Sequence, residues 1–140
     1  ESVFIDVGSA PVMSQAVSDR RTEGKFFMQA LNSCSHLIYI IHQDSRALYQ
    51  LEQFEEFLKM FSSKLNVIYL LNKESSSSSR PLFRKSFRSK IDGKPHFFMP
   101  YEYGNLERAR NRYATLSEVN SRSSLSRALR ELAIYLHKII

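Results

Sequence analysis

Apolar positions along this chain follow two rhythms, and the two alternate. Short continuous runs come first in each pair: Val3 to Val7, His36 to His42, Leu65 to Leu71 and His96 to Met99. Runs of this length with apolar centres read as strands covered on both faces, the pattern of parallel sheets. Between them the apolar positions recur at helical spacing. Ser18 to Ser33 gathers Phe26, Phe27, Ala30 and Leu31 on one face. Asp44 or Ser45 can cap the next helix, which runs to about Ser62 with Leu48, Leu51, Phe54, Leu58 and Phe61 inward. Pro81 can open a short helix over Arg80 to Lys90, and Pro100 should stop the fourth strand. Two helices, about Leu106 to Glu118 and Ser124 to Ile140, close the chain.

Strand, helix, strand, helix, strand implies parallel pairing through right-handed crossovers. The expected fold class is α/β, a mainly parallel sheet with helices on both faces in three layers. Ligands of such sheets bind outside the carboxyl ends of the strands. Asp6, the turn Gln43-Asp44, Asn72-Lys73 and Pro100-Tyr101 should therefore meet along one rim. Asp6 stands just past an apolar strand and before the small-residue turn Val7-Gly8-Ser9-Ala10-Pro11. An aspartate so placed can hold a hydrated magnesium ion. It can equally cap a turn. Asn72 can satisfy loop backbone, and Lys73 can be a solvated charge.

The chain has 140 residues, the size of one domain, so 1–140 reads as a single unit. Ser75 to Ser79 is a five-serine run, and the stretch 74–91 reads as a flexible Ser-rich and basic loop. The first residue is not Met and lies within a strand-like run, which suggests a piece of something longer. No apolar run approaches the roughly 18 residues that span a bilayer, and a single cysteine, Cys34, suits a reducing cytoplasm. Cys34 reads as a packed thiol. The four histidines keep no metal-ligand spacing with Cys or carboxylates, and Ser9 lies in no G-x-S-x-G elbow.

Net charge is +6, divided as −2 over residues 1–79 and +8 over 80–140. That basic half can attract nucleic acid, an anionic surface or an acidic partner. In Arg80 to Lys90, Phe83 and Phe87 share one helical face and Arg84 and Arg88 its neighbour, with Lys85 and Lys90 adding charge. Such a stripe suits salt-sensitive phosphate contacts to DNA. The alternative is that the two phenylalanines anchor the segment while the cations solvate it. Arg108, Arg110, Arg112, Arg122, Arg127 and Arg130 extend the positive charge. The last helix carries Leu125, Ala128, Leu129, Leu132, Ala133, Leu136 and Ile139 on one face, with Tyr135 and His137 off it. That stripe reads as core packing rather than as a membrane grip.

These landmarks, in this order, resemble the ParA/MinD-like ATPases of the P-loop superfamily, which carry a deviant Walker A motif. The resemblance rests on Val3-Phe4-Ile5-Asp6, on Asn32 to Ile41 after a helix, on Val67-Ile68-Tyr69-Leu70-Leu71-Asn72-Lys73, and on Phe97-Phe98-Met99-Pro100. The Gly8-Ser9 turn looks most like plasmid-borne members linked to partition, stability and conjugation. The resemblance implies that Asp6 is the Walker B aspartate, catalytic and touching magnesium through water. It implies that Asn72 reads the adenine of ATP with Lys73 beside it, and that Pro100 walls the base pocket. It further implies an ATP-dependent dimer, and DNA or a protein as partner. The match covers the later part of the family's fold. None of Gly8, Gly24, Gly93 and Gly104 lies in G-x-x-x-x-G-K-[ST], so the Walker A-bearing segment is absent and this chain as given is not competent for hydrolysis. Ser35-His36 also replaces the family's usual aspartate. The alternative is a non-enzymatic module on a degenerate NTPase fold. A receiver-domain reading (Asp6, Ser45, Lys73) has the residue types in order, but the intervals are long for that fold.

Overall fold

The computed structural model describes residues 3, 5–6, 22–44, 46–59 and 65–140. Helix α1 (Thr22–Ser33) leads into strand β1 (His36–His42), helix α2 (Ala47–Leu58) and strand β2 (Asn66–Glu74). Helix α3 (Arg80–Lys90), strand β3 (His96–Pro100) and helices α4 (Tyr103–Asn111), α5 (Leu116–Asn120) and α6 (Ser124–Ile139) follow. Both strand pairs are parallel, in the order β1-β2-β3. The expected α/β class and the three-layer arrangement hold.

One face of the sheet is covered by α1, α2 and α3. Phe27, Leu31, Leu51, Phe54, Phe57 and Phe87 pack there against Ile41, Val67, Tyr69 and Leu71. Tyr39 stacks on Phe54 with ring centroids 3.9 Å apart. The hydroxyl of buried Tyr69 donates to Glu55, which also pairs with Lys94. Burial, then that carboxylate, push the Tyr69 phenol far up. The other face meets α6, where Leu125, Ala128 and Leu132 pack on Ile38, Leu70, Phe97 and Met99. Alternation along β1 and β2 sends neighbouring residues to opposite layers, which is why continuous apolar runs were needed.

Several expectations are corrected. Val3, Ile5 and Asp6, the described residues of the expected first strand, belong to no strand, and Val3 and Ile5 are exposed. The turn Val7 to Pro11 and Ser45 lie outside the described residues, as do Phe61 and residues 18–21. The segment 74–91 holds the end of β2 and the whole of α3, so most of it is regular structure. Phe87 at 0% exposure anchors it against Tyr69 and Phe98. Phe26 faces outward, while Phe27 and Leu31 go inward. Strand β2 runs three residues past Leu71.

The expected helix from Leu106 to Glu118 is two helices. α4 ends in a Schellman motif: Ala114 N donates to Ala109 O (3.0 Å) and Tyr113 N to Arg110 O (3.2 Å). Tyr113 takes the left-handed position, φ +51°. Thr115 and Glu118 then form a capping box that starts α5. In α6, Tyr135 packs on Phe97 (5.4 Å between ring centroids) and Leu129 is exposed. The inward stripe is thus rotated from the expected one toward residues 125, 128, 132 and 135.

Candidate functional site

Parallel register brings three of the four expected turns to one rim. His42 lies opposite Asn72, and Glu74 opposite Pro100. The Gln43 side-chain oxygen accepts from Ser75 N (2.8 Å), and Tyr101 N donates to Glu74 O (3.0 Å). Gln43-Asp44, Asn72-Lys73 and Pro100-Tyr101 therefore share the carboxyl edge. Asp44 accepts from the backbone N–H groups of Arg46 and Ala47, both at 2.8 Å, in a turn just before α2, whose cap position is Arg46. No strand register carries Asp6 to this rim. It is exposed.

Asn72 Oδ1 accepts from Lys73 N (2.9 Å). One oxygen lone pair and the amide N–H₂ remain for another partner. Lys73 is exposed and left-handed, φ +54°, at an irregularity in the β2–β3 pairing. Pro100 closes β3, where its missing N–H costs no ladder bond to β2.

Three of the four residues expected at nucleic acid, Arg84, Arg88 and Lys90, make contacts within the chain. Both guanidinium nitrogens Nε and NH2 of Arg84 donate to the Glu74 carboxylate, the latter at 2.6 Å, and the group lies 4.1 Å from the centroid of the Phe98 ring. Arg88 Nε donates to His96 Nε2 (3.3 Å), whose Nδ1 donates to Lys94 O (3.0 Å). Lys90 pairs with Glu52 (2.9 Å). Lys85 is exposed. The cations of α3 thus mostly fasten it to the sheet and to α2. Arg108, Arg110, Arg112, Arg122 and Arg127 are exposed and make no salt bridge among the described residues.

Two carboxylates escaped sequence reasoning. Glu74 is buried with Arg84 and Arg80, the latter at 3.1 Å. A lone acid at a strand end, six and ten residues before two arginines, was its only signal. Glu102 follows β3 and accepts from the Ser124 side chain, from Ser124 N (2.9 Å) and from Asn105 (2.9 Å). Desolvation opposes its charge, but the hydrogen bonds from Ser124, Asn105, Ser123 and Leu125 outweigh it and hold the carboxyl at about 2. It ties the rim to the start of α6. Cys34 is partly covered, and burial pushes its thiol up.

An open cleft of about 500 Å³ lies at the opposite, amino-terminal edge, lined by His36, Glu55, Lys59, Lys94 and Tyr135 among others. Among the described residues no three His, Cys, Asp or Glu side chains group as a metal site, and no helix is long and apolar enough to cross a membrane.

A crystal structure of a ParA family ATPase from Chlorobium tepidum TLS superposes on 83% of this chain, with a TM-score of 0.59 and 16% identity. The fold is ParA-like. The match takes in 46% of that protein, so this chain spans less than half its length. No protein-family profile and no curated protein matches the chain. At the carboxyl rim of this ParA-like frame stand Asn72, whose amide N–H₂ bonds to no described residue, the exposed Lys73 and the proline-ended strand β3. The same frame offers no fit for phosphates, because no described loop presents a glycine-rich run of amides with a lysine.

Proposed function

We propose that this chain is the base-binding part of a ParA-like nucleotide switch, using ATP and magnesium once a phosphate loop is supplied. The observation that carries the reading is the shared rim of Asn72, Lys73 and Pro100 on a parallel sheet. Asn72 reads the base, Lys73 flanks it, Pro100 walls it, and Asp6 serves the hydrated metal. Support for a missing unit comes from β1. Its outer edge pairs with no described strand, and Ile40 is 56% exposed in an otherwise apolar strand. A further parallel strand there would deliver a phosphate loop beside Gln43 and Asp44. A switch of this kind dimerises with nucleotide and works in the cytoplasm on DNA, in partition, positioning or plasmid transfer.

The test is titration of a fluorescent ATP analogue into the protein as its gene encodes it, with and without magnesium. Binding should weaken at least about tenfold in Asp6→Ala with magnesium, and in Asn72→Ala in either condition. Absence of binding, or binding indifferent to both substitutions, refutes the reading.

A second reading has its own observation. The exposed arginines of α4, α6 and the turn between α5 and α6 have no acidic partner among the described residues, which favours a module that holds DNA with no hydrolysis. Its affinity would fall steeply with salt and drop in an Arg108→Ala, Arg112→Ala double variant. A flat salt response rejects it.

A further inference from the structure

Between Leu71 and Glu74 the sheet takes three steps on β2 while β3 takes two, from Phe98 to Pro100. One extra residue sits at Asn72-Lys73, and Lys73 absorbs it with φ +54°. This is a β-bulge, and its consequence is a change of face. Strict alternation would send Glu74 to the same side as Leu70, toward α6. With the extra residue it turns instead to the side of Leu71 and α3. There its side chain is fully buried, gripped through both oxygens by Arg84 and also paired to Arg80. Slipping β2 by one residue would move that carboxylate to the apolar cluster of Leu70, Met99 and Leu125, away from both arginines. The pair therefore selects one register for the end of β2.

Asn72 stands at this bulge, between Leu71 and the left-handed Lys73, so the register that Glu74 fixes also fixes where Asn72 sits on the rim. With its oxygen already bonded to Lys73 N, it presents one acceptor position beside its N–H₂ donor. That edge complements the N6–H donor and N7 acceptor of adenine. It mismatches guanine, whose O6 and N7 both accept. We infer that Glu74, through its ion pair with Arg84, is a positioning residue that sets adenine-over-guanine selection at the rim. The inference rests on the nucleotide reading above and names a determinant that touches no ligand itself.

The experiment compares fluorescent ATP and GTP analogues on the unaltered protein, Glu74→Gln, Arg84→Lys and Asn72→Ala, with a melting curve for each. The unaltered protein should prefer ATP. Glu74→Gln should lose about tenfold of that preference, chiefly through weaker ATP binding, and Asn72→Ala should lose it too. Arg84→Lys keeps the charge but not the two-pronged bond, and should fall between. A merely structural pair would weaken both nucleotides together and leave the ratio alone. A folded Glu74→Gln with an unchanged ratio overturns the inference while the nucleotide reading stands. No binding of either analogue to the unaltered protein overturns both. Should Glu74→Gln fail to fold, the ratio in Arg84→Lys and in Arg80→Gln decides, and an unchanged ratio in both is likewise refuting.

Discussion

Phe87→Ala separates an anchored α3 from a loose basic loop. The ring is fully buried against Tyr69, His96 and Phe98. A buried aromatic hides about 150–250 Å². At about 25 cal/mol per Å², the part lost on truncation is worth on the order of 3 kcal/mol. The cavity left between strand and helix adds to this, giving about 3–5 kcal/mol in total. For 140 residues, an unfolding entropy of about 2.1 cal/mol/K per residue makes each kcal/mol worth about 3 °C, so the melting temperature should fall by about 10–15 °C. Urea unfolding followed by far-ultraviolet circular dichroism measures the loss of stability, and a thermal scan the fall in melting temperature. Lys85→Ala, two residues away on the opposite, exposed side of the helix, should change stability by less than about 0.5 kcal/mol. A Phe87→Ala loss as small as that of Lys85→Ala would mean the segment does not pack on the sheet, and the reasoning about α3 fails.

Two further predictions concern the carboxyl half. Tyr113 occupies the left-handed position of the Schellman motif while its side chain is fully exposed, so Tyr113→Gly should raise stability by about 0.5–1 kcal/mol in the same urea assay, and a loss would contradict the assigned backbone strain. Glu102 is held at about 2, below its ordinary 4.5; a depressed carboxyl stabilises the fold fully above its unfolded value and loses that contribution as pH falls toward the folded one. Stability should therefore drop between pH 4.5 and 2, Glu102→Gln should flatten that slope, and parallel curves for the two proteins would rule the linkage out.

Periodicity was enough to locate three strands and the helices between them. Continuous apolar runs such as Leu37 to Ile41 and Val67 to Leu71 can be satisfied only where both faces are covered. Parallel order followed, and with it the meeting of Gln43, Asn72 and Pro100 at one rim. The start of α2 was legible to within two residues: Asp44 makes a turn just ahead of it, bonding Arg46 N and Ala47 N, while the cap position itself falls on Arg46. The break at Tyr113 was not, since a tyrosine in a glycine's place gives no composition signal; the only sequence mark of it is the Thr115-Glu118 capping-box spacing just beyond.

The cations illustrate the other limit. Arg84, Arg88 and Lys90 look alike in sequence whether they meet solvent, DNA or a buried acid, because charge in one dimension carries no partner. Only the extra residue at Asn72-Lys73 turns Glu74 under α3, and only then does Arg84 become an internal ion-pair partner. The first strand shows the same dependence. Val3-Phe4-Ile5-Asp6 has strand composition, but a strand exists only when a neighbour accepts its hydrogen bonds, and Val3, Ile5 and Asp6 stand in none of the three strands. Local pattern determined which elements form and which way they run, since those follow from spacing and side-chain volume. Tertiary structure decided who pairs with whom, because registers, bulges and ion pairs join residues that are distant along the chain.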